Sequence, residues 1–418
     1  MKDYLKLSPQ FLLLIVTMLC TTELQAQPSG CTDTLATNFD PDATENDGSC
    51  LYDTVIVSPI RSWTLPQTIN ETSGLVIWEN KFWTHNDDTD TRVYALDTLN
   101  ITNYTEFPLP QSVNNDWEEI SQDDDFIYIG DFGNNANGNR KDLKILRVDK
   151  NSLLQNSPLI DTISFSYALQ TDFSPTGSNK TNYDCEAFVV VGDSIYLFTK
   201  EWVSMKSSIY ALPKTPGNYS ASFISHYNVQ GLITGATSYE DKKIVALSGY
   251  SPMLQPFILL LYDYHNRDFF SGNKRKLTLN LPFHQVEGIT TDDGLTYFIT
   301  NERFTQSIFT TAAKIHRVDL SDYLSNYLNT VSTSDDVINK NREYFLYPNP
   351  ATSYVYFNFP GINEFRITVY NALGQKTGIH KSNAGDFILN VSNYNSGMYY
   401  YVINKKDSSP LKGKFIVE

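Results

Sequence analysis

The feature that most constrains the fold is a weak internal repeat across residues 52–320. Each of five units contains three short apolar strands separated by turn residues, and the third strand ends in a sequence similar to Tyr-Ala-Leu-Asp. The first strands of the five units are Thr72–Trp78, Asp116–Ile120, Asp184–Phe188, Leu232–Ala236 and Gln285–Ile289. Self-similarity of this kind is typical of a repeat architecture, in which each unit buries its apolar face against its neighbours.

A more polar fourth strand follows the third strand in four of the units. These predicted strands are Ile101–Leu109, Thr162–Ala168, Ser222–Val229 and Lys276–Leu281. Val55–Leu65 precedes the first unit, is of the same type and can complete the fifth unit. Four-stranded units repeated radially form a β-propeller, so we predict an all-β fold with a five-bladed propeller. A sixth blade within 149–183 is the alternative, although Thr171–Thr181 is predicted to be an insertion loop.

Alignment of the units on their first strands gives one column of polar residues. The column consists of Ser73, Glu118, Glu186, Thr234 and Glu287. In a propeller the first strands line the central channel, so these side chains would face one another. Three carboxylates this close repel unless a positive charge lies between them, and oxygen ligands of this kind suit Ca²⁺. We therefore predict Ca²⁺ on the propeller axis, the alternative being glutamates that are solvated or bound to backbone N–H groups.

The order Ser-Glu-Glu-Thr-Glu, one residue from each unit, resembles the central calcium ring of the calcium-activated apyrases, which are secreted five-bladed nucleotidases. The resemblance implies the architecture and the metal. Thr234 stands where that family has a serine, and the residues that contact nucleotide in that family have no convincing match here. The resemblance therefore does not extend to the substrate.

The loops after the second strands are predicted to lie at the same mouth of the channel as the column. The candidate residues on these loops are His85, Asn86, Asp87, Asp131, Asn135, Arg140, Lys200, Trp202, Asn301 and Arg303. This mixture of acids, bases and an aromatic side chain favours a ligand site, although solvated turns have a similar composition. If the site is catalytic, we predict a hydrolase in which Asp87 or Asp131 activates water and Lys200, Arg140 or Arg303 stabilises anionic charge. The other residues would bind the ligand.

The N-terminal segment, residues 1–26, is predicted to be a signal peptide. Lys2 and Lys6 precede the apolar run Phe11–Leu19, and the small residue Ala26 marks the expected cleavage position. The apolar run is too short for a membrane anchor, and we expect no transmembrane segment. The formal net charge of −15 argues against nucleic acid as a partner, because phosphates require a basic face.

A segment rich in Asp, Asn and Gly, residues 27–51, follows the signal peptide and contains Cys31 and Cys50. In an oxidising compartment these cysteines are predicted to form a disulfide that contributes about 3 kcal/mol. The segment resembles the GCTD…DGSC module of exported Bacteroidetes proteins. A second Ca²⁺ site there would use Asp40, Asp42, Asn46 and Asp47, and a simple stapled turn is the alternative. Cys185 is predicted to be a buried free thiol.

The C-terminal segment, 344–418, follows a predicted linker at 321–343. Its predicted strands are Val355–Phe359, Phe365–Tyr370, Met398–Ile403 and Lys414–Val417, which are typical of a small antiparallel sandwich. Four motifs occur in order: YPNPA, ITVYNALGQ, SGMYYY and KGKFIVE. This ordered set resembles the type A C-terminal sorting domain of the type IX secretion system of Bacteroidetes. The resemblance implies an Ig-like β-sandwich that the secretion machinery reads, and export to the cell surface or the medium.

These patterns together predict an exported, calcium-stabilised propeller. We expect it to bind, and to hydrolyse if it is an enzyme, a small anionic phosphoester or a carbohydrate at the propeller mouth. A phosphoesterase-like hydrolase is the enzyme class that the apyrase resemblance implies. The alternative is a non-catalytic surface binding or adhesion module, and we expect a monomer in either case.

Overall fold

The computed structural model describes residues 28–306, 309–329, 345–347, 351, 354–358, 365–382, 386–405 and 411–417. The chain divides into two compact units, Met1–Ser325 and Asn326–Glu418. The predicted signal peptide lies outside the described residues. The predicted linker begins with a helix at 321–329, and its remainder, 330–343, also lies outside them. The described residues are mainly β-strand, which confirms the predicted all-β class.

The segment after the predicted signal peptide forms a small stapled module. Its two short strands pair in parallel: β1 (Ser29–Gly30) and β2 (Glu45–Asn46). A disulfide joins Cys31 to Cys50, as predicted. Two further short strands follow: β3 (Val55–Val57) and β4 (Arg61–Thr64).

The first repeat unit is a four-stranded antiparallel sheet preceded by a 3-10 turn at Gln67–Ile69. Its strands are β5 (Thr72–Trp78), β6 (Lys81–Asn86), β7 (Arg92–Asp97) and β8 (Tyr104–Pro108). Most side chains of the three inner strands are buried, as expected for a sheet packed on both faces.

The second and third units join into one eight-stranded sheet because their outermost strands, β12 and β16, pair in parallel. The strands of the second unit are β9 (Trp117–Gln122), β10 (Phe126–Asp131), β11 (Lys144–Asp149) and β12 (Ile160–Tyr167). The short helix α1 (Lys150–Leu154) lies between β11 and β12, and the Asp149 side chain caps it. The strands of the third unit are β13 (Cys185–Val191), β14 (Ser194–Thr199), β15 (Ser207–Pro213) and β16 (Gly217–Tyr227). The fully described stretch 149–183 contains α1, β12 and loop, and no additional sheet.

The fourth and fifth units follow the same plan. The strands of the fourth unit are β17 (Leu232–Tyr239), β18 (Ile244–Tyr250), β19 (Pro256–Tyr262) and β20 (Asn273–Leu279), with a 3-10 turn at Glu240–Lys242. The strands of the fifth unit are β21 (Val286–Thr291), β22 (Thr296–Asn301) and β25 (Lys314–Asp319). A hairpin of β23 (Phe304–Gln306) and β24 (Phe309–Thr311) lies between β22 and β25.

The segment Val55–Leu65, predicted to be a single strand that closes the ring, forms two strands in two different sheets. β4 pairs antiparallel with β25 and completes the fifth sheet, whereas β3 pairs in parallel with β20 and extends the fourth sheet. Pro59 lies between the two strands. A proline has no backbone N–H and restricts the residue before it, so a continuous strand is interrupted at this position.

The first strands of the five sheets contact one another in the order β5, β9, β13, β17, β21 and again β5. Apolar side chains fill the space between adjacent sheets. Trp83 and Val93 of the first sheet pack with Trp117 and Ile129 of the second in one such core. The buried thiol of Cys185 lies in another, as predicted.

The described residues of the C-terminal compact unit include seven strands: β26 (Phe345–Tyr347), β27 (Tyr354–Asn358), β28 (Phe365–Asn371), β29 (Lys376–Ser382), β30 (Asp386–Asn390), β31 (Gly397–Lys405) and β32 (Leu411–Val417). They form a three-stranded sheet, β26-β27-β30, and a four-stranded sheet, β29-β28-β31-β32. Val355 and Phe357 of the first sheet share a core with Ile367, Tyr401 and Phe415 of the second. The two sheets therefore pack face to face, as the sequence predicts.

Candidate functional site

A β-bulge lies at the column position of every first strand. The pairing register with the second strand shifts at Ser73, Glu118, Glu186, Thr234 and Glu287. A bulge places two residues opposite one, leaves one of them unpaired and turns its side chain in a new direction. The five residues that sequence alignment brings into one column are therefore structurally equivalent, and all five are buried.

The residue after the bulged position is small in four of the units because the first strands approach closely there. A Cβ atom on Gly74 would lie 2.2 Å from the Ile120 nitrogen, and one on Gly235 would lie 2.2 Å from the Glu287 carbonyl oxygen. Real Cβ atoms do not come this near to backbone atoms. The glycine after the column residue is thus a requirement of the ring of first strands.

Lys200, at the end of β14, supplies a positive charge within the column. Its Nζ donates to a carboxylate oxygen of Glu186, and both side chains are buried. Nζ also lies 4.7 Å from the centre of the Trp202 ring and 5.3 Å from that of Tyr250. Burial opposes the charge on Lys200, but Glu186 and other acidic neighbours such as Glu287 outweigh it and raise the Lys200 pKa above its usual value.

The three glutamates of the column have raised pKa values. Burial raises the pKa of Glu186 to about 8, although Lys200 acts in the opposite direction. Burial, and then the charge of Glu186, raises the pKa of Glu118 well above its usual value. Burial does the same for Glu287, against the effect of Lys200. The single positive charge of Lys200 is therefore insufficient to keep all three column glutamates ionised at their usual pKa.

The two hydroxyl groups of the column join neighbouring first strands. Ser73 Oγ donates to the Glu118 carbonyl, and Thr234 Oγ1 donates to the Val286 carbonyl at 2.6 Å. Within the part of the chain that the structure describes, no group of three or more His, Cys, Asp or Glu side chains is arranged to hold a metal ion. Lys200 already supplies a positive charge to Glu186, so the column as described is not arranged around a calcium ion. The calcium ring stays a prediction.

Further carboxylates surround the column on the loop side. Burial, and then Glu71, raises the pKa of Asp87 to about 7. Burial, and then Asp87, raises the pKa of Glu302 to about 8. Burial and Asp184 raise the pKa of Asp116 to about 6. What we call the mouth cluster consists of the column glutamates, Lys200 and these further acids: Glu71, Asp87, Asp116, Asp184 and Glu302.

A glycine allows two of these carboxylates to approach each other. A Cβ atom on Gly133 would lie 2.2 Å from Glu118 Oε1 and 2.3 Å from Asp116 Oδ2. Both oxygens thus occupy space that any other residue at position 133 would need. The loop after β10 is therefore shaped around the mouth cluster.

Asp131, predicted as a catalytic base, is fully buried in a pair of ion pairs. Arg140 Nη2 and Lys144 Nζ each donate to it at 2.9 Å. The Arg140 guanidinium also donates to the Gly133 carbonyl at 2.8 Å. Asp131 and Arg140 thus fix the loop after β10, and this arrangement favours a structural role for both.

Three other predicted ligand residues are buried and bonded within the sheets. His85 Nδ1 lies 3.1 Å from the Asn86 carbonyl oxygen, and burial lowers the His85 pKa to about 4. Asn86 donates to the Thr68 carbonyl at 3.0 Å. Asn301 donates to the carbonyls of Glu302 and Ala312 at 2.8 and 3.0 Å.

The remaining predicted residues lie nearer to solvent. Asn135 and Trp202 are half-buried and Arg303 is exposed. Trp202 Nε1 donates to Asp184 Oδ2 at 2.7 Å. The structure therefore brings Asp87, Lys200 and Trp202 into or beside the mouth cluster.

Sequence reasoning misses several acids of the mouth cluster. Asp116 and Asp184 each stand two residues before a column glutamate, and Glu71 stands two residues before Ser73. This acid-x-column spacing in three of five units is the signal that could have found them. From the sequence alone, Glu71 is predicted to be a rim residue.

Glu119 is also missed, and its contacts differ from those of the mouth cluster. It is fully buried, and its oxygens accept from the backbone N–H groups of Ile120 at 2.9 Å and Ala236 at 2.7 Å. Ile120 belongs to the second sheet and Ala236 to the fourth. Glu119 thus ties together first strands that are not neighbours in the ring.

The proposed second calcium ligands each serve their own turn. Asp40, Asn46 and Asp47 accept from the backbone N–H two residues ahead, at 3.0, 2.9 and 2.9 Å. Asn46 also donates to Asp263 and Asn273 at 2.9 Å, which attaches the module to the fourth sheet. Asp42 is exposed. These contacts favour the stapled turn, and the second Ca²⁺ stays a prediction.

The C-terminal unit defines the class of the protein as an exported one. Residues 345–418 match the family of secretion system C-terminal sorting domains. The type IX sorting domain is thereby confirmed, together with export to the cell surface or the medium. No helix among the described residues has the length and apolar character needed to cross a membrane. No curated protein sequence is significantly similar to the chain.

Several solved structures resemble the chain at low identity. PorZ, a surface component of the type IX secretion system of Porphyromonas gingivalis, has a TM-score of 0.31 at 10% identity, over 83% of this chain and 45% of PorZ. The extracellular domain of BT4673 from B. thetaiotaomicron has a TM-score of 0.30 at 10% identity, over 86% and 59%. A mutant of the Bombyx mori β-fructofuranosidase BmSUC1 in complex with sucrose has a TM-score of 0.37 at 8% identity, over 84% and 86%. The chain thus spans about half of the first two proteins, and similarities this weak carry no functional argument.

Proposed function

We propose that the protein is an exported five-bladed β-propeller whose mouth cluster binds a neutral carbohydrate. The propeller part rests on five repeat units of four strands, the fifth completed by β4, whose first strands contact one another in a closed order. Apolar cores between adjacent sheets and a bulge at the same position of each first strand support it. Radial repetition of four-stranded sheets is the definition of this architecture.

The observation that supports a neutral ligand is the excess of carboxylates over cations in the mouth cluster. A phosphoester would meet this negative charge, and like charges in a poorly solvated cleft repel strongly. A neutral polyol would not. Carboxyl groups that titrate near neutrality, such as Asp87 and Glu302, both donate and accept hydrogen bonds, as sugar hydroxyls require. Trp202 and Tyr250 supply aromatic rings beside Lys200 of the same cluster.

Binding of the purified protein to a glycan array, followed by calorimetry with the best ligand, tests this proposal. We expect Asp87→Asn with Glu302→Gln to weaken binding at least tenfold. Asp88→Asn is the matched control, because Asp88 is exposed and adjacent to Asp87. Preferential binding of phosphoesters, or glycan binding that the double variant leaves unchanged, would contradict a carbohydrate site in the mouth cluster.

Glycoside hydrolysis is a second candidate, favoured by the pKa values of Asp87 and Glu302 near 7 and 8. General acid–base catalysts work best when their pKa lies near the operating pH, and most glycosidases use a pair of carboxyl groups. Turnover of a panel of nitrophenyl glycosides, lost in Glu302→Gln, would support this activity. Glycan binding without turnover on the panel would leave the binding or adhesion module.

A further inference from the structure

A hydrogen-bonded chain of reactive side chains lies in the fifth sheet. Ser62 on β4 and His316 on β25 stand opposite each other in an antiparallel pair. Ser62 Oγ lies 2.7 Å from His316 Nδ1, and His316 Nε2 lies 2.8 Å from Asn301 Oδ1 on β22. Three adjacent strands thus align a serine hydroxyl, an imidazole and an amide.

The amide of Asn301 determines which imidazole nitrogen holds the proton. Its Nδ2 donates to the carbonyls of Glu302 and Ala312, so its Oδ1 must face His316. Because Oδ1 can only accept, His316 Nε2 donates, and Nδ1 keeps a lone pair for the hydroxyl proton of Ser62. Burial lowers the pKa of His316 to about 3, so the ring is neutral at physiological pH.

The three residues differ in access to solvent. Asn301 and His316 are buried, whereas Ser62 is exposed. β4 is the edge strand of its sheet, and the bond from Leu65 N–H to the Ala313 carbonyl fixes the alternation of its hydrogen bonds. Successive backbone N–H groups of a strand point to opposite sides, so the N–H of Leu65 points to β25 and that of Ser62 points to the open edge of the sheet. There it can donate to an oxygen of a bound ligand. The hydroxyl is thus accessible and its proton acceptor is shielded behind it.

We propose that Ser62 is the nucleophile of an ester-cleaving site, with His316 as its proton acceptor and Asn301 as a positioning residue. Ser62 Oγ bonds to the ester carbonyl carbon while its proton passes to His316 Nδ1. The bond from that carbon to the alkoxy oxygen then breaks, and the proton on Nδ1 passes to the leaving alcohol. Water then attacks the carbonyl carbon of the acyl-serine, passes a proton to His316 Nδ1, and releases the carboxylic acid as the proton returns to Ser62 Oγ.

The surroundings indicate a class of ester. The ring of His284 lies 5.7 Å from that of His316, and His284 and then Lys314 contribute to the lowered pKa of His316 after burial. An ester of a carboxylic acid that carries a negative charge near the reacting carbonyl would pair with this lysine. The low basicity of His316 limits the rate gain, and we expect about 100-fold over an unassisted serine, the lower end of general-base catalysis.

Labelling of the full chain with a fluorophosphonate probe, mapped by mass spectrometry, tests the proposal. We expect an adduct on Ser62 that is absent from Ser62→Ala. Ser58→Ala is the matched control and should label normally, because Ser58 is also exposed and lies four residues before Ser62, but it accepts from Asn280 and has no imidazole partner among its described contacts. No adduct on Ser62 under conditions that label a known serine esterase would overturn the proposal.

Two further measurements test the roles of His316 and Asn301 separately. We expect the thiol of Ser62→Cys to react with iodoacetamide at pH 7 at least tenfold faster than that of Ser58→Cys, since only the former can transfer its proton to His316. Asn301→Asp, which would stabilise a charged imidazole, should raise the pH at which Ser62 labelling is half-maximal. A merely structural Asn301 would not move this pH. Equal thiol rates at positions 62 and 58 would refute His316 as the proton acceptor.

Discussion

Lys200→Met is the substitution that most directly tests how the column is held together. The lysine and Glu186 side chains are each 4% exposed, so the variant leaves a buried carboxylate without its counter-ion. Removal of one partner from a buried ion pair costs about 3–5 kcal/mol. For a domain of this size that corresponds to a decrease in Tm of roughly 10 °C. Differential scanning calorimetry above pH 8, where Glu186 is mostly ionised in the wild type, is the assay.

The pH dependence of this loss has a defined sign. The Glu186 pKa in the folded protein, about 8 even with Lys200 present, exceeds the value of an unfolded glutamate. A group of this kind favours folding while it is protonated, and the contribution is lost as the pH rises from about 4 through its folded pKa. In Lys200→Met the destabilisation should therefore be small at pH 5 and increase as the pH rises above about 8, where Glu186 is ionised in the wild type and has lost its cation in the variant.

Lys214→Met is the matched control for the lysine substitution. Lys214 pairs with Asp123 at 2.9 Å, but both side chains retain access to solvent. Exposed or half-exposed ion pairs contribute about 0–1 kcal/mol, so the Tm of this variant should hardly change. Equal losses for the two variants, or a Lys200→Met loss that is larger at pH 5 than at pH 8, would refute Lys200 as the counter-charge of the column.

Three further predictions concern the ring and the module. Addition of a chelator should leave the wild-type Tm unchanged if Lys200 is the counter-charge of the column, whereas a drop of several degrees would support the calcium prediction. Cys31→Ser with Cys50→Ser should lower the free energy of unfolding by about 3 kcal/mol in urea titrations, and an unchanged midpoint would show that the docked module does not depend on its disulfide. Glu119→Gln should lower the free energy of unfolding by about 1–3 kcal/mol, because the amide NH2 would face one of the two backbone N–H groups that donate to the Glu119 carboxylate. Glu106→Gln, which changes an exposed ion pair, is the control.

The column shows how far the sequence can lead. Its five members follow from the repeat alone, because each stands before a small or acidic residue at the same place in its unit. The bulges that make them equivalent follow from close packing of the first strands around glycines such as Gly74 and Gly235. Strand existence is equally accessible, since apolar alternation decides it. The prediction of one strand over Val55–Leu65 is wrong because Pro59 divides it between two sheets.

Partner choice is beyond the sequence. Asp131 and Lys200 both resemble reactive residues on polar loops, yet one is enclosed by Arg140 and Lys144 and the other by Glu186. Charge pairs of this kind depend on side-chain positions in three dimensions. The pairing of Ser62 with His316 joins residues 254 positions apart, across the closure of the fifth sheet by the N-terminal strand β4. A local motif search cannot find such a pair.

Two kinds of buried carboxylate occur at the centre of this protein, and their hydrogen-bond partners distinguish them. Glu119 accepts from backbone N–H groups of separate strands, and these bonds oppose the effect of burial, which still raises its pKa well above the usual value; its partners make it part of the fold. The mouth cluster has no comparable compensation: burial and mutual repulsion raise its pKa values toward neutrality, with Lys200 as the cation that pairs with its column. Protein stability alone gives no reason to assemble such a cluster, since apolar residues of similar volume would be less costly there. The mouth cluster lowers stability and lies where the ends of five strands converge, and buried charged groups of this kind are typical of a site that binds a ligand.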